Sequence, residues 1–154
     1  MPDVLCRIIE VCVFKFENNR ARYLLLHRSK EETLYPDMWQ LVSGSIEPGE
    51  KAVDAAFREL KEETMLRPTA FWTVPYANSF YDHTEDVVNV SPLFAAQVEA
   101  GVEPRLSSEH DAHGWFELKD AAHKLVWPGQ RFGLHVVHEY IVGGQQASYL
   151  VRLV

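Results

Sequence analysis

A chain of 154 residues, 47% hydrophobic and 24% charged, is long enough for one globular domain, which we expect to span residues 1–154. Its formal net charge of −7 argues against binding to nucleic-acid polymers or to anionic membranes, because both depend on basic protein surface. A small phosphorylated ligand is compatible with this charge if a bound divalent cation supplies positive charge locally.

The start of the chain and its two cysteines bear on the compartment. Met1, Pro2 and Asp3 are followed by neither the basic region nor the apolar stretch of a signal peptide or a membrane span, which predicts a cytoplasmic protein. On one strand, Cys6 and Cys12 would lie about 20 Å apart, too far to bridge each other. We expect two buried, reduced thiols.

The predicted elements follow from apolar patterning and from turn residues such as Asn, Pro and Gly. Strands are predicted at residues 4–16, 22–28, 39–42, 69–83, 87–98 and 114–117. Helices are predicted at residues 52–64, 118–126 and 131–142, with residues 149–154 as a terminal strand or an irregular end. Pro128 and Gly129 are expected to stop the second helix. This order of elements predicts an α+β fold, with helices packed on the faces of a mixed sheet.

The helix at residues 52–64 has the clearest pattern. Residues 47–50, Glu-Pro-Gly-Glu, provide a turn and place acidic charge near the positive end of the helix. Its apolar side chains recur at helical spacing and form one stripe, made of Val53, Ala56, Phe57 and Leu60.

Three acidic residues of this helix form the first candidate site. Glu59, Glu62 and Glu63 stand at spacing i, i+3 and i+4, which places neighbouring Cβ atoms about 5–6 Å apart on one face. Like charges so close repel, and a divalent cation would reverse that effect. Carboxylate oxygens suit Mg²⁺ or Mn²⁺. Taken alone, the triplet is more typical of a solvated face balanced by neighbouring basic residues.

The wider pattern around the triplet favours the metal site. Residues 44–66, GSIEPGEKAVDAAFRELKEETML, resemble the Nudix box, G-x5-E-x7-R-E-U-x-E-E-x-G-U, in which U is an apolar residue. The matching positions are Gly44, Glu50, Arg58, Glu59, Leu60, Glu62, Glu63 and Leu66. The resemblance implies a Nudix hydrolase with an α/β/α sandwich, in which the box helix carries the metal ligands.

One position departs from the box. Met65 stands where the pattern has its second glycine, just past the predicted helix end. A glycine there usually adopts the left-handed conformation that caps a helix, which would cost a methionine about 1–2 kcal/mol. Either Met65 accepts this cost or the chain leaves the helix differently.

The resemblance also implies roles for the matching residues. Glu59, Glu62 and Glu63 would ligate Mg²⁺, or Mn²⁺ in its place, with the Gly44 carbonyl as a further candidate ligand. Arg58 would hold Glu59 through an ion pair. Water would then attack a phosphorus atom of the substrate while the cation neutralises charge on the leaving phosphates. Glu50 would support the start of the helix and the same charge network.

Nudix enzymes often use one more carboxylate from a remote loop. Glu109 is the best candidate for this acid, either as a general base or as a metal ligand, with a plain surface glutamate as the alternative. Asp111 and Glu103 are weaker candidates. His110 and His113 do not provide the four ligands that a zinc site usually has.

A second stretch, residues 38–47 (MWQLVSGSIE), is similar to the subgroup of dATP and dihydroneopterin triphosphate pyrophosphohydrolases. The segment around Glu109 and the His27-Arg28 pair are similar too. This implies a small-molecule nucleoside or pterin triphosphate as substrate, with a monophosphate and pyrophosphate as products. Candidate substrate contacts are Arg28, Arg7, Trp39, Phe80 and Tyr81. The alternatives are an exposed strand-end arginine and aromatic rings buried in the core.

Two other functions use the same fold. One keeps the mechanism but acts on a dinucleoside polyphosphate, a nucleotide sugar or a capped end. The other is a non-catalytic module that senses a nucleotide, which the intact Arg58-Glu59 and Glu62-Glu63 pairs argue against. Whether the chain is a monomer or a homodimer stays open.

Overall fold

A computed structural model describes residues 1–144 and 146–154 of the protein. The strands are β1 (Asp3–Leu5), β2 (Ile8–Glu17), β3 (Arg20–Arg28), β4 (Trp39–Gln40), β5 (Val42–Ser45), β6 (Ala70–Asp82), β7 (Val87–Gln97) and β8 (His110–Phe116). The helices are α1 (Ala52–Thr64), α2 (Leu118–Lys124), α3 (Pro128–Val136), which a wider π-helical segment (Val137–Val142) continues, and α4 (Gln146–Leu150).

All eight strands belong to one mixed sheet. The order β1-β7-β2-β3-β4 forms its path, while β5 pairs with β2, β6 with β7 and β8 with β3. Strand β7 runs parallel to both β1 and β2, and the other pairings are antiparallel. The expected mixed sheet is confirmed.

Helices cover both faces of this sheet because its central strands are apolar on both sides. In β2, Val11 and Val13 pack toward α1, whereas Cys12 and Phe14 pack toward α2, α3 and the π-helical segment. All four side chains are buried. The result is the α/β/α sandwich that the sequence implied, with helix α1 alone on one face among the helices that contribute to these two cores.

The predicted strand at residues 4–16 is two strands in the structure. Leu5 pairs with Asn89 and Glu10 pairs with Leu93, so five steps along the first segment match four along β7. The extra residue breaks the ladder, as a bulge does. Cys6 lies in this break and is exposed, so the expectation that both thiols are buried was wrong; both cysteines are free.

Other boundaries also differ from the prediction. The strand at residues 39–42 divides into β4 and β5, which pair with β3 and β2 respectively. Strand β8 begins at His110, four residues earlier than predicted, because pairing with β3 stabilises a polar segment. Pro128 begins α3, where its missing N–H is not needed. The C-terminal residues 149–154 include the end of α4, and Arg152 then bridges to Trp72 of β6.

Met65 does adopt the left-handed conformation, with φ 59° and ψ 11°, and its N–H donates to the carbonyl of Lys61. Its side chain is 56% exposed, so it contributes little packing in return. We expect Met65→Gly to stabilise the fold by about 1 kcal/mol and to raise Tm by about 2–4 °C, measured by thermal unfolding. Met65→Ala is the control, because alanine keeps the conformational cost. An equal rise in both variants would contradict the explanation.

None of the helices that the structure describes is both long enough and apolar enough to span a bilayer.

Candidate functional site

A cleft of about 1340 Å³ lies beside the box helix and is the centre of the candidate site. Its walls come from β5, α1, the loop before β8, the second half of β6 and the start of α3. The side chains at one end are acidic, and those at the rim include several exposed aromatic rings. Residues distant in sequence therefore meet around one space of a size that suits a nucleotide-like ligand.

Three residues at the acidic end have the geometry of a metal site. One ligand atom each from Glu63, Glu109 and His110 lies within 4.8 Å of the others. Glu63 and His110 are buried and Glu109 is exposed. The Oε2 atom of Glu63 and the Nδ1 atom of His110 are buried without a hydrogen-bond partner among the described residues. A buried carboxylate oxygen without a partner, such as Oε2 of Glu63, calls for a ligand or an ion.

The charges of this cluster indicate a cation. Burial, together with the nearby carboxylates of Glu59 and Glu109, raises the pKa of Glu63 to about 9. Burial also raises the pKa of Glu59. A divalent cation would relieve both effects, and oxygen ligands suit Mg²⁺ or Mn²⁺. The residues present thus fit the metal that the sequence implied.

His110 was not assigned to this cluster from the sequence. Its Nε2 atom accepts a hydrogen bond from the side chain of Gln40 at 3.0 Å. Burial, assisted by the charge of Arg28, lowers the pKa of His110 to about 4, so the ring is neutral at physiological pH. His113 is not part of the cluster, since it pairs with Glu103. The two histidines therefore do not share a zinc site.

Arg58 organises the acids of the box helix, as the resemblance implied. Its guanidinium donates to both oxygens of Glu50, at 2.8 and 2.9 Å, and to Glu59 at 2.8 Å. It also donates to the carbonyl of Ser45, at 2.8 Å. These bonds fix α1 to the end of β5 and orient Glu59 toward the cleft.

The expectation that three box glutamates point together holds for two of them. Glu59 and Glu63 line the cleft, with Glu59 only 13% exposed. Glu62 is 58% exposed and pairs with Arg58 at 3.2 Å. It is not among the residues that line the cleft in the described part of the chain, so its proposed ligand role has less support.

Gly44 is required by the close approach of β5 and α1. A methyl group at this position would overlap the carboxyl group of Glu59. The glycine thus leaves space for a cleft-lining acid, and it lines the cleft itself. This steric role is separate from the carbonyl-ligand role that the resemblance implied.

Arg28 lies where a phosphate contact would be useful. It lines the cleft and is only 16% exposed, and its charge lowers the otherwise raised pKa of Glu63. Its Nε atom donates to the carbonyl of Leu34, and its Nη2 atom pairs with Glu32. The backbone N–H of Ser29 donates to the carbonyl of Glu109 at 3.0 Å, which joins this strand end to the acidic loop.

The predicted aromatic contacts lie in different environments. Phe80 and Tyr81 both line the cleft and are exposed, although the hydroxyl of Tyr81 donates to Asp86. Trp39 is instead partly buried against His27 and Phe116, and it is not among the cleft-lining residues of the described chain. Its placement favours a packing role.

Several other candidates lie outside the cleft. Arg7 forms an ion pair with Glu85 at 2.8 Å and is not among the cleft-lining residues of the described chain, so its placement does not favour a phosphate contact. The weaker alternatives to Glu109 are also occupied elsewhere: Glu103 accepts from Trp115 and pairs with Lys15, and Asp111 contacts His27. Of the three loop acids considered, Glu109 is the one that the structure places beside the acids of the box helix.

Sequence reasoning missed a second wall of the cleft, built from β2, β6 and α3. Glu10 is buried there near the start of β2, next to Asn78 and Gln130. Trp127 and Phe132 are exposed at the same wall. A lone acid within the apolar run of β2 was a usable signal, because acidic side chains are seldom buried.

The Arg58–Glu50 pair makes a prediction about acid stability. The hydrogen bonds from Arg58 lower the pKa of Glu50 from 4.5 to about 2. Because the folded-state pKa is depressed, the stabilisation is complete above pH 4.5 and is lost as the pH falls toward 2. We therefore expect Glu50→Gln to show a shallower loss of Tm than the wild type in this range. Equal slopes in acid-denaturation curves would contradict the assignment.

The sequence of this chain matches the family model described as the NUDIX domain over residues 7–135. It is 33% identical over 132 residues to an octanoyltransferase of Myxococcus xanthus, covering 81% of this chain and 34% of that protein. The chain thus spans about a third of the length of that relative. It is also 26% identical to the nucleoside triphosphatase NudI of Klebsiella pneumoniae, covering 76% of this chain and 82% of the relative.

A solved structure agrees with the fold. The dihydroneopterin triphosphate pyrophosphohydrolase of E. coli superimposes with a TM-score of 0.70 and 23% sequence identity, covering 92% of this chain and 96% of the other. Identity at this level supports the shared fold, while the family model covers most of the chain, including the whole box. The chain therefore belongs to the Nudix hydrolase family.

Proposed function

We propose that the protein hydrolyses a phosphoanhydride bond in a nucleoside-triphosphate-like substrate, with Mg²⁺ as its cofactor and Mn²⁺ as a substitute. The products would be a monophosphate and pyrophosphate. The observation that carries the proposal is the buried Oε2 atom of Glu63, which has no hydrogen-bond partner among the described residues and lies at the acidic end of a cleft large enough for a nucleotide. A buried carboxylate with other acids beside it is costly for the fold unless a cation is bound, and its oxygens suit a divalent cation.

The carboxylates of Glu59 and Glu63 would hold the cation, and Glu109 and His110 stand beside them. When bound, a divalent cation neutralises charge on phosphate oxygens and makes water more acidic. Arg58 keeps Glu59 in place, and Gly44 leaves room for its carboxyl group. The chain would therefore present a fixed set of oxygen ligands to an entering polyphosphate.

Glu109 is the residue that we assign as general base. It is exposed, lies at the acid cluster, and has its backbone held by Ser29. In the proposed step, water attacks a phosphorus atom, its proton passes to the Glu109 carboxylate, and the phosphoanhydride P–O bond breaks. Pyrophosphate leaves with the electrons of that bond.

Other cleft residues would hold the rest of the substrate. Arg28 can contact the phosphate chain from the strand end, because its side chain lies near Glu63. Phe80 is 44% exposed in the cleft and offers a face on which a flat ring can stack. Trp127, 42% exposed, offers a second face.

The substrate class is supported by two likenesses. NudI is named a nucleoside triphosphatase, and the E. coli protein is named a dihydroneopterin triphosphate pyrophosphohydrolase. The similarity of residues 38–47 to the dATP and dihydroneopterin triphosphate pyrophosphohydrolases supports the same substrate class. We therefore propose a substrate of the dATP or dihydroneopterin triphosphate type. Free Cys6 and Cys12 suit the reducing cytoplasm, where we propose that the enzyme acts.

A substrate panel tests the proposal. Purified protein is incubated with nucleoside triphosphates, dihydroneopterin triphosphate, a dinucleoside polyphosphate and ADP-ribose, with Mg²⁺ or with EDTA. We expect Mg²⁺-dependent release of pyrophosphate from at least one triphosphate. In oxygen-18 water, the label in one product identifies the phosphorus that is attacked.

Two results would overturn the proposal. Turnover of the dinucleoside polyphosphate or of ADP-ribose alone would assign a different ligand to the same mechanism. Binding of a nucleotide without turnover of any panel member, with Mg²⁺ or Mn²⁺ present, would assign a sensing module.

A further inference from the structure

A second polar cluster lies in the cleft, on strand β2 and helix α3. Glu10 is 5% exposed, and its two carboxylate oxygens accept hydrogen bonds from Asn78 at 3.1 Å and from Gln130 at 2.7 Å. All three side chains line the cleft. Neither partner is a cation, so the two amide groups are the hydrogen-bonding support of this carboxylate.

Such an arrangement is unfavourable as a purely structural feature. A buried carboxylate without a cation loses hydration that two neutral hydrogen bonds do not fully replace. Burial accordingly raises the pKa of Glu10. A glutamine or an apolar residue would fill the same space at lower cost, so the acid calls for a role that those residues cannot perform.

Gln130 indicates which kind of ligand group this cluster would bind. Its Nε2 atom donates to Glu10, which turns its Oε1 atom the other way, and this oxygen is buried without a partner among the described residues. Gln130 as a whole is 7% exposed. The corner of the cleft formed by Glu10 and Gln130 therefore offers hydrogen-bond acceptors. These are the remaining lone pairs of the Glu10 carboxylate and the free amide oxygen of Gln130.

The surroundings fit a flat ring. Trp127 directly precedes α3, and Phe132 lies within this helix. Both side chains are exposed and line the cleft. Tyr35 packs edge-on against Trp127, with ring centroids 5.3 Å apart. Aromatic faces beside a corner of acceptors suit a heterocycle that stacks on its faces and donates hydrogen bonds from one edge.

We propose that Glu10 and Gln130 select a heterocycle in which a ring N–H stands next to an exocyclic NH₂, the 2-amino-4-oxopyrimidine edge shared by guanine and pterins. This inference rests on the proposed function and names the substrate class of the same cleft. Adenine places a ring acceptor next to its amino group, and uracil flanks its N–H with two carbonyls. Both bases would direct lone pairs at the acceptors of this corner.

Steady-state hydrolysis of GTP, ITP, ATP and dihydroneopterin triphosphate tests the selection. ITP lacks only the 2-amino group of GTP. We expect kcat/KM for GTP or for the pterin to exceed that for ITP and ATP by about 10- to 100-fold. The ratio of kcat/KM for GTP to kcat/KM for dihydroneopterin triphosphate shows whether the preferred ring is guanine or a pterin. Equal rates for GTP, ITP and ATP would overturn the inference.

The variant Glu10→Gln places a donor where the ligand also has donors. We expect kcat/KM for the preferred substrate to fall about 10- to 100-fold, while that for ATP stays within about threefold. Melting temperature should be unchanged or higher, because a buried charge is removed. Glu99→Gln, an exposed acid outside the cleft, is the matched control. An equal loss for all substrates would show a structural role for Glu10 and overturn the inference.

Two further arms keep the test decisive. If Glu10→Gln fails to fold, Gln130→Met removes the free acceptor, and the preference for GTP over ATP should narrow. If the wild type hydrolyses no triphosphate, the proposed function fails, but calorimetric binding of dGMP and dAMP still tests the inference. Tighter binding of dGMP by at least about tenfold, lost in Glu10→Gln, supports it. Equal binding of the two monophosphates overturns it.

Discussion

Glu63→Gln is expected to lower kcat at least about 100-fold, more than the loss of a residue that only supports a metal ligand. Glutamine keeps the shape of the side chain but removes the charge that a divalent cation needs. Without metal, the variant should be more stable than the wild type at pH 8, because wild-type Glu63, whose pKa is raised to about 9, must take up a proton to fold at that pH, whereas glutamine need not. Pyrophosphate release and thermal unfolding, each with and without Mg²⁺, measure the two effects.

The other acids of the same helix provide the comparison. Glu62→Gln should reduce kcat by about tenfold, since Glu62 is largely exposed and contacts the site through Arg58. Asp54→Asn is the matched control, because Asp54 is an exposed acid of α1 outside the cleft. If Glu62→Gln were as damaging as Glu63→Gln, the placement of Glu62 at the edge of the site would be wrong. If Mg²⁺ raised the Tm of Glu63→Gln as much as that of the wild type, Glu63 would not be a ligand.

Gly44→Ala is expected to produce the second large loss, about 10- to 100-fold in kcat/KM. The added methyl group would overlap the carboxyl group of Glu59 and displace it from the cleft. A misplaced acid of a metal site loses affinity and rate together. Thermal stability should fall as well, because Glu59 is also bound by Arg58.

A double-mutant cycle separates this steric effect from a general defect of β5. In Glu59→Ala, the obstacle to the methyl group is absent, so adding Gly44→Ala should change Tm little. The two substitutions should therefore be strongly non-additive in stability. Ser45→Ala, at the neighbouring exposed position, is the control for the strand itself. Additive losses would show that the close approach to Glu59 is not the reason for the glycine.

The box helix is the part of the site that sequence reasoning predicted best. The predicted bounds of this helix, 52–64, agree with the structure. The ion pair between Arg58 and Glu59 follows the implied pattern. Local spacing was sufficient here, because residues one helical turn apart must be neighbours. The acid from the remote loop, Glu109, came from the resemblance, and the structure brings it to Glu63.

The remaining contacts depend on pairings that no local pattern specifies. Trp39 and Arg7 were chosen by residue type, and the path of β3 and β7 places them in packing and ion-pair contacts instead. Glu10 and Gln130 lie far apart in sequence and meet only when α3 folds over β2. His110 joins the acids because β8 begins earlier than its polar sequence suggests. Tertiary pairing, rather than propensity, decided these positions.

The hydrogen bond from the Ser29 N–H to the Glu109 carbonyl restricts which sequence changes around this cleft are compatible with the proposed activity. Ser29 directly follows β3, and Arg28 pairs with His110, the first residue of β8, so the end of β3 sets where the assigned base stands. An insertion or deletion next to Ser29 would shift that base while leaving every residue of the box unchanged. Variation at this end of β3 is therefore constrained by catalysis as well as by folding.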